Sequence, residues 1–350
     1  MSTFEGKRII LGAPTDYSFS SMIERELKHQ GFEVINISYS QQGKFKYKHV
    51  FERLKSFIHK NFLGNKRYKD YLKFKRSEAW MKDRLNKTAY ADFALLIRPD
   101  QYSEEIIRII KSKAGVVVAY QWDGLRRFPR VQQLVAHFDR FFVFDPEDLV
   151  VPSVLPITNF YTSSYVMAND PTLNSDACFI GTYIKERAEQ VEHVITALTA
   201  AGLNVRYHIC SSKASKHAFN HLNTTSEKLT YEENLKLVYN ANILIDINNR
   251  IHNGLSFRVF EAIGFQKKLI TTSDAIKTYD FYHPNNFFVW GHHTKQELDE
   301  FLEAPFVPLP ADIREKYGFA NWARYLLDMD DCIPIVLPKC NGESNIIDQR

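Results

Sequence analysis

Cysteine is scarce and unpaired in this sequence. The 350 residues include four, Cys178, Cys210, Cys332 and Cys340, and none stands in a CxxC pair. Zinc ribbons and thioredoxin-like redox motifs are therefore excluded. Four cysteines in a chain of this length do not make a disulfide scaffold either, so we expect a protein of a reducing compartment.

Long apolar runs are also missing. No stretch approaches the roughly 20 apolar residues that a membrane-spanning helix needs, and residues 1–14 lack the apolar core of a signal peptide. These two features predict a cytoplasmic protein, which is peripheral at the inner face of the membrane if it meets a membrane.

Several well-known catalytic motifs do not occur: there is no G-x-S-x-G elbow, Walker loop or HExxH helix. One D-x-D triplet runs from Asp328 to Asp330, with Asp331 beside it. Carboxylates at that spacing can hold Mg²⁺ next to a diphosphate. Because the triplet follows the last predicted helix rather than a strand, we interpret it as a solvated helix terminus, with a metal site as the weaker alternative.

Charge is nearly balanced over the whole chain but not along it. Lys and Arg number 45 against 41 Asp and Glu, whereas residues 41–90 alone hold 15 against 4. The other residues are thus net acidic, which does not favour a general nucleic-acid binder. Ten aromatic residues are interleaved with this basic segment: Phe45, Tyr47, Phe51, Phe57, Phe62, Tyr68, Tyr71, Phe74, Trp80 and Tyr90.

The basic segment, residues 41–90, allows several partners. Basic and aromatic side chains together suit an anionic membrane surface, a charged acceptor glycan or single-stranded nucleic acid. The plainer alternative is a pair of solvated helices whose rings pack on a sheet. We expect the membrane surface, and nucleic acid is the least favoured partner.

Length favours two domains, because 350 residues exceed one ordinary core. Short apolar strands alternate with helical segments on both sides of a polar stretch, 161–176, which is typical of parallel sheets with βαβ crossovers. The predicted strands are 8–14, 33–39, 92–99, 115–122, 140–144, 177–181, 205–210, 241–247 and 268–272. The predicted helices include 20–30, 103–113, 130–138, 186–201, 230–240, 256–265 and 311–328.

The predicted fold class is α/β, with two tandem doubly wound, Rossmann-like domains, an interdomain cleft and a C-terminal helix that packs back. We expect an N-terminal domain over 1–165 with the basic segment as an insertion, a C-terminal domain over 176–305, and a final helix and tail over 306–350. In such sheets ligands bind outside the carboxyl ends of the strands.

The stretch 248–272 is the richest in polar candidates. Gly254 and Ser256 stand where a helix begins, so free backbone N–H groups can meet an anion there. Arg258 adds a fork of donors that matches phosphate, and Glu261 can accept from ribose hydroxyls. The alternative is a local ion pair between Arg258 and Glu261. The candidate binding residues are His252, Asn253, Gly254, Ser256, Arg258 and Glu261.

A second candidate turn lies where the strand near 179 ends in Gly181 and Thr182. Glycine lets the backbone approach a diphosphate closely, and Thr182, Lys185 and Arg187 supply donors and positive charge. Two aspartates are candidate general bases: Asp123, directly after a buried strand, and Asp16, in the loop after the first strand. Ordinary turn chemistry explains both aspartates equally well.

The stretches 179–189 and above all 252–272 (HNGLSFRVFEAIGFQKKLITT) resemble GT-B glycosyltransferases of the CgeB-like or group-1 type, found in bacterial surface-polysaccharide pathways such as lipopolysaccharide or capsule synthesis. The two-domain layout also fits, so the resemblance covers about residues 7–328. It implies a metal-independent enzyme without a cofactor that moves a sugar from a nucleotide-sugar donor to a saccharide or lipid-linked saccharide acceptor.

The resemblance also implies roles for individual residues. Glu261 would bind the ribose, Arg258 and the Gly181–Thr182 turn the diphosphate, and the N-terminal domain the acceptor. Asp123 or Asp16 would deprotonate the acceptor if the reaction inverts. Many retaining relatives carry a paired E-x7-E, and the first of these positions is Asn253 here, so retention and inversion both stay open.

Two other functions are compatible with the sequence. A nucleotide-sugar epimerase of the same two-domain form would turn over the donor without any acceptor. A non-catalytic binder would use the basic segment on a membrane or nucleic acid and would bind no nucleotide sugar.

Overall fold

The computed structural model describes residues 4–39, 47, 50–61, 68–211, 219, 221–248, 252–291 and 293–338. Much of the basic segment's beginning and Cys340 lie outside these residues. The chain divides into two compact units, Met1–Tyr120 with Gln133–Asp139, and Gln121–Gln132 with Arg140–Arg350. The domain boundaries expected from the sequence remain predictions.

The first sheet has six strands in the order β2-β1-β3-β4-β5-β6. β1 pairs in parallel with β2 and β3, β3 with β4, and β5 with β6. Its inner strands are nearly continuous aliphatic runs, as expected for a parallel sheet covered on both faces. The strands are β1 (Arg8–Gly12), β2 (Glu33–Asn36), β3 (Ala91–Ile97), β4 (Ala114–Gln121), β5 (Arg140–Val143) and β6 (Val154–Pro156).

Four α-helices lie between the first four of these strands along the chain. α1 buries Met22, Ile23 and Leu27 at helical spacing, and Gly31, at φ 97°, turns the chain directly after it. The helices are α1 (Phe19–His29), α2 (Val50–Asn61), α3 (Tyr68–Asn86) and α4 (Glu104–Lys111). Helices α2 and α3 belong to the basic segment.

The second sheet is a five-stranded parallel sheet in the order β11-β10-β9-β7-β8. Its strands are β7 (Ser175–Thr182), β8 (Val205–Cys210), β9 (Ala241–Asp246), β10 (Lys268–Thr271) and β11 (Phe287–Val289). The remaining helices are α5 (Lys185–Ala200), α6 (Tyr231–Tyr239), α7 (Phe257–Phe265), α8 (Lys295–Glu303), α9 (Ala311–Lys316) and α10 (Phe319–Leu326).

Alternate residues of β7 and β9 enter two separate cores, one on each face of the second sheet. Cys178 and Leu244 pack with apolar residues of α6 and α7. Phe179 and Ile243 pack with those of α5 and α8. Alternation along a strand that is covered on both faces makes the sheet doubly wound. The predicted class, two parallel-sheet α/β domains, is confirmed.

One predicted helix has a different form. Residues 130–138 form a 3₁₀ helix, Pro129–His137, rather than an α-helix. The N–H of Val131 donates to the carbonyl of Phe128 at 2.9 Å, and that of Phe138 to Val135 at 3.1 Å. These three-residue steps are tighter than α-helical ones, and β-branched Val131 and Val135 favour an α-helix only weakly.

The helix predicted over 311–328 is interrupted at Gly318. Tyr161, the first residue of the polar stretch, forms a parallel bridge with Gly318. The N–H of Tyr161 donates to the carbonyl of Tyr317, and that of Phe319 donates back to Tyr161. These bonds replace helical ones, so α9 ends and α10 begins there.

Helix α10 packs back on the chain between β5 and the polar stretch, within the second unit. The indole N–H of Trp322 donates to the carbonyl of Thr158 at 3.0 Å, and its ring lies 4.6 Å from that of Phe160. Arg140 donates to the carbonyl of Tyr325 at 2.8 Å. Among the described residues, no helix combines the length and apolar character needed to cross a bilayer.

Candidate functional site

Arg187 joins the carboxyl ends of β7 and β9, two neighbouring strands of the second sheet. Its guanidinium donates to the carbonyl of Thr182, at the end of β7, and to that of Ile247, just after β9, both at 2.9 Å. A Cβ on Gly181 would lie 3.2 Å from the Arg187 Nη2 atom. Burial lowers the pKa of Arg187, against the opposing field of Asp246. Gly181 thus leaves the room that this half-buried cation occupies.

Asp246, the last residue of β9, organises the start of α7. Its carboxylate accepts from the hydroxyls of Ser256 at 2.8 Å and Thr271 at 3.1 Å. Ser256 is the N-cap residue of α7, and its side chain caps no N–H of the first turn. The sequence interpretation did not include Asp246, although its place at the end of the apolar run ANILID was a usable signal.

Arg258 and Glu261 form the local ion pair that the sequence left open as an alternative. Arg258 Nη1 lies 2.5 Å from Glu261 Oε2, and Nη2 donates to Asn234 on α6 at 3.0 Å. Glu261 is only 2% exposed. Burial raises the pKa of Glu261, while the Arg258 charge and the Tyr231 hydroxyl oppose that rise. The guanidinium of Arg258 therefore bonds to a side chain of its own helix and to one of α6.

The loop before α7 is fitted closely against Phe144. A Cβ on Gly254 would lie 2.3 Å from the Phe144 ring, so any larger residue forces a shift. His252 stacks edge-on to the same ring, with centroids 4.9 Å apart. Its Nδ1 lies 3.1 Å from the carbonyl of Gly254. Since a carbonyl only accepts, this hydrogen bond requires the proton on Nδ1.

Two buried aspartates after β5 hold two of the candidate stretches together. Asp145 accepts from the N–H of Asn253 at 3.1 Å, and Asp148 accepts from the N–H of Leu125 at 2.8 Å. The space beside Gly124 is bounded by Asp145 and by the Cβ of His252. The chain after Asp123 and the loop 252–254 therefore meet at these carboxylates. The sequence interpretation did not include either aspartate, because DPED reads as an ordinary turn.

The environment of these aspartates favours their neutral forms. Burial raises the pKa of Asp148 to about 6, with the N–H of Leu125 opposing the shift and the charge of Asp145 adding to it. Burial also raises the pKa of Asp145, against the N–H of Asn253, His252 and Arg126. Burial therefore acts in the same direction on both carboxyl groups, and backbone N–H groups oppose it at both.

Asp123 lies at the turn after β4, beside the same loop. Its Oδ1 accepts from Arg127 at 2.9 Å and its Oδ2 from the Trp122 indole at 3.2 Å. The Trp122 ring meets that of Phe257 edge-on at 6.4 Å. Gln121, just before, is fully buried, and neither of its amide atoms has a hydrogen-bond partner among the described residues. A buried amide in this position can bond to an ordered water or to a polar group of a ligand.

Asp16 belongs to the first unit, where it is exposed in a short 3₁₀ turn after β1. The next two residues, Tyr17 and Ser18, both have positive φ, 53° and 60°. Arg98, just after β3, also has a positive φ of 61° and pairs with Asp100 through two bonds of 2.6 and 2.7 Å. Such conformations are unfavourable for residues with a Cβ and cluster at functional sites.

The first residue of the D-x-D triplet, and the aspartate that follows the triplet, each lie beside an arginine. Asp328 lies 3.1 Å from Arg140, and Asp331 lies 3.9 Å from Arg324. In the part of the chain that the structure describes, no group of three or more His, Cys, Asp or Glu side chains is placed to hold a metal ion.

The comparisons with known proteins bear on the fold. No family model matches the chain, and no curated protein matches it in sequence. An alpha-glucosyltransferase solved in complex with UDP and a mismatched 13-mer DNA is similar over 92% of this chain and 95% of its own, at 10% identity and a TM-score of 0.51.

Two further structures agree with it. A UDP-forming alpha,alpha-trehalose-phosphate synthase from Burkholderia xenovorans, in complex with glucose-6-phosphate, covers 92% of this chain and 99% of its own, at 11% identity and a TM-score of 0.51. An OtsA apo structure covers 94% and 100%, at 9% identity and a TM-score of 0.51. With its six- and five-stranded parallel sheets, the chain has the GT-B fold of these structures.

Proposed function

We propose that the protein is a glycosyltransferase that uses a nucleotide-sugar donor. The observation that carries the proposal is the junction at the ends of β7 and β9. There Gly181 makes room for Arg187, and Asp246 draws the Ser256 side chain away from the first turn of α7. Solved structures of this fold include a glucosyltransferase with UDP and a UDP-forming synthase, which supports a diphosphate ligand.

The donor diphosphate binds at this junction in our proposal. The start of α7 offers backbone N–H groups and the positive end of its dipole to an anion. Arg187 contributes a fixed charge nearby without having to move, because two carbonyls already hold it. As the bond from the sugar to the diphosphate breaks, these groups stabilise the charge on the leaving oxygens.

The roles of Arg258 and Glu261 require a rearrangement of their ion pair. Glu261 and Asn234 each accept from one terminal nitrogen of Arg258, so a phosphate that takes both of these nitrogens replaces them. A ligand phosphate can replace a carboxylate as the partner of a guanidinium at similar geometry. Glu261 would then accept from the ribose hydroxyls, with Tyr231 still beside it.

Two aspartates are candidates for the base that acts on the acceptor. Asp123 or Asp16 acts as the base that takes the acceptor hydroxyl proton if the reaction inverts. We propose a saccharide or lipid-linked saccharide acceptor in bacterial surface-polysaccharide synthesis, and transfer that needs no bound metal. The resemblance of the stretch 252–272 supports these finer statements.

A ligand screen tests the proposal directly. Thermal unfolding of the purified protein is measured with UDP, GDP, ADP and CDP and with their sugar conjugates. A ligand that binds only the folded state at a hundred times its Kd stabilises it by about 2.7 kcal/mol. Arg187→Met should weaken this effect at least ten-fold in Kd, since a charged hydrogen bond contributes about 1.5–3 kcal/mol. Arg206→Met serves as the matched control, because Arg206 lies near the start of β8 and also donates to a carbonyl, that of Thr172.

Turnover distinguishes the outcomes. Nucleoside diphosphate release that depends on an added saccharide acceptor supports transfer, and its persistence in EDTA supports metal independence. An isomerised donor without acceptor indicates an epimerase instead. If no nucleotide or nucleotide sugar shifts the unfolding temperature, the proposed donor site is wrong.

A further inference from the structure

A polar cleft of about 270 Å³ lies at the amino ends of four neighbouring strands of the second sheet. Ser175, the first residue of β7, lines it. The residues directly before β8, β9 and β10 line it too: Asn204, Asn240 and Lys267. Because the strands are parallel, this edge of the sheet is opposite the carboxyl ends where we place the donor. The cleft is therefore separate from the proposed donor site.

Hydrogen bonds hold the walls of this cleft in place. Asn240 donates through Nδ2 to the carbonyl of Lys236 on α6 at 2.8 Å, and its Oδ1 accepts from the N–H of Asp170 at 2.7 Å. The carboxylate of Asp176 accepts from the N–H of Asn204 at 2.8 Å. These bonds tie the chain on both sides of Ser175 to a helix and to the next strand. The fold itself thus sets the shape of the cleft.

The hydroxyl of Ser175 is an unsatisfied polar group in this cleft. Ser175 is 5% exposed, and its Oγ has no hydrogen-bond partner among the residues that the structure describes. Burying a hydroxyl without a partner is unfavourable, and such groups in native proteins are normally bonded to protein, water or ligand. Since Ser175 lines the cleft, a polar ligand there can supply the missing bond.

Lys267 brings a positive charge to the cleft. Its ammonium lies 5.6 Å from the centre of the Tyr239 ring. Burial lowers the pKa of Lys267, and no carboxylate in the described part of the chain acts to raise it. An ammonium without an acidic partner keeps its N–H donors for the oxygens of a ligand.

The surroundings of the cleft favour a neutral ligand. Helices α5, α6 and α7 end just before β8, β9 and β10, so the negative ends of their dipoles lie at this edge of the sheet. Together with the carboxylate of Asp176 they disfavour a phosphate or another anion. The charge of Lys267 in turn disfavours a cation.

The lining of the cleft matches hydroxyl groups. Five of its nine residues are asparagines, and none is aliphatic. An amide side chain both donates and accepts, as each hydroxyl of a sugar does. A peptide partner would need apolar surface for its own side chains. The five asparagines are Asn169, Asn174, Asn204, Asn240 and Asn242.

We propose that this cleft binds a neutral saccharide chain. Lys267 and the hydroxyl of Ser175 donate to its oxygens, and the asparagine amides bond to its hydroxyls. The inference goes beyond the proposed function, because binding at the amino ends of the strands requires no donor and no transfer.

Titration calorimetry on the full chain tests the proposal with four neutral hexasaccharides: maltohexaose, cellohexaose, mannohexaose and N-acetylchitohexaose. At least one of them should bind, and inorganic phosphate should not bind at this cleft. Arg187→Met, at the proposed donor site, should leave saccharide binding unchanged. The two proposals can therefore fail separately.

Three substitutions alter the cleft. Ser175→Ala should weaken saccharide binding about three-fold or more without lowering thermal stability, since its hydroxyl has no partner among the described residues to lose. Lys267→Met should weaken binding by a similar factor. Asn242→Trp should abolish it, because position 242 is exposed on β9 and a large side chain there fills the cleft.

Two matched controls should bind saccharide as the wild type does. Thr158→Val removes another buried hydroxyl that has no partner among the described residues. Lys295→Met removes an exposed ammonium at the start of α8. Neither residue lines the cleft.

Three results would overturn the proposal. The first is wild-type protein that binds none of the four hexasaccharides. The second is saccharide binding that Asn242→Trp leaves intact, because the sugar then binds elsewhere. The third is binding of inorganic phosphate that Lys267→Met abolishes while no hexasaccharide binds, because the cleft would then be an anion site.

Discussion

The guanidinium of Arg258 lies 2.5 Å from the carboxylate of Glu261 on one face of α7. Both side chains are almost fully buried, at 11% and 2% exposure. Their pairing satisfies two charges that would otherwise be costly to bury. The same contact bears on the proposed donor site, because a phosphate that binds both terminal nitrogens of Arg258 competes with Glu261.

Removing one member of this pair should destabilise the protein more than removing both charges. Arg258→Met leaves a buried carboxylate unpaired, which costs about 3–5 kcal/mol. Adding Glu261→Gln should recover a large part of that loss. Denaturant unfolding of the two single variants and the double variant measures the coupling.

The surface pair Arg324 and Glu315 is the control, since Glu315 is largely exposed. Its coupling should stay below about 1 kcal/mol. If the Arg258 and Glu261 changes are simply additive, the pair contributes nothing to the folded state and Arg258 is free to meet a ligand.

Gly254→Ala should be strongly destabilising for a steric reason. The added methyl group would lie 2.3 Å from the ring of Phe144 and 2.7 Å from its carbonyl oxygen. Overpacking of this kind costs about 1–3 kcal/mol. Thermal unfolding measures it, with Gly291→Ala as the control, because nothing lies within 4 Å of a Cβ at Gly291. Equal stability of the two variants would contradict the close fit of the loop on Phe144.

Asp148→Asn should make the protein more stable at neutral pH. The pKa of Asp148 is raised to about 6, above its value of about 4 in an unfolded chain, so the folded state favours the proton. Protonated Asp148 makes its full contribution to the free energy of unfolding below pH ~4, and this contribution is lost as the pH rises to ~6. An asparagine cannot ionise, so the variant avoids this loss. Its free energy of unfolding should exceed that of the wild type by about 1–2 kcal/mol above pH ~6. Urea unfolding from pH ~4 to pH ~8 measures the difference.

Asp170→Asn provides a control of opposite sign. Thr172, through its hydroxyl and its N–H, lowers the pKa of Asp170. Ionised Asp170 therefore stabilises the fold at neutral pH, and the variant should be slightly less stable there. The difference should disappear as the pH falls through the lowered pKa. If the gain in stability of Asp148→Asn did not change with pH, the ionisation of Asp148 would not be its cause.

Gln121→Leu should separate stability from activity. Both amide atoms of Gln121 are buried without a partner among the described residues, and such groups cost about 1–3 kcal/mol. The variant should therefore unfold at a higher temperature than the wild type. If the amide serves a ligand at the end of β4, turnover should fall at the same time. A stabilised variant with unchanged turnover would leave Gln121 without a role in the reaction.

Local sequence signals predicted the second sheet well. The runs 241–247 and 268–272 became β9 and β10, and the helix at 230–240 is opened by the capping box of Thr230 and Glu233. These features depend on neighbours a few residues away, which a sequence displays directly. The break at Gly318 depends on Tyr161, more than 150 residues earlier, and no local pattern contains it.

The candidate site shows the same division. The sequence by itself determined which residues carry donors and carboxylates. It also indicated that Gly181 lies at the end of a strand, that Ser256 begins a helix and that Asp123 follows a strand. The tertiary structure alone decided their partners: Arg187 on two strand ends, Ser256 on Asp246, and Arg258 on Glu261. It also decided that Ser175, Asn240 and Lys267 meet in one cleft. The reason is physical, because hydrogen bonds and burial depend on groups that the fold brings together from distant parts of the chain.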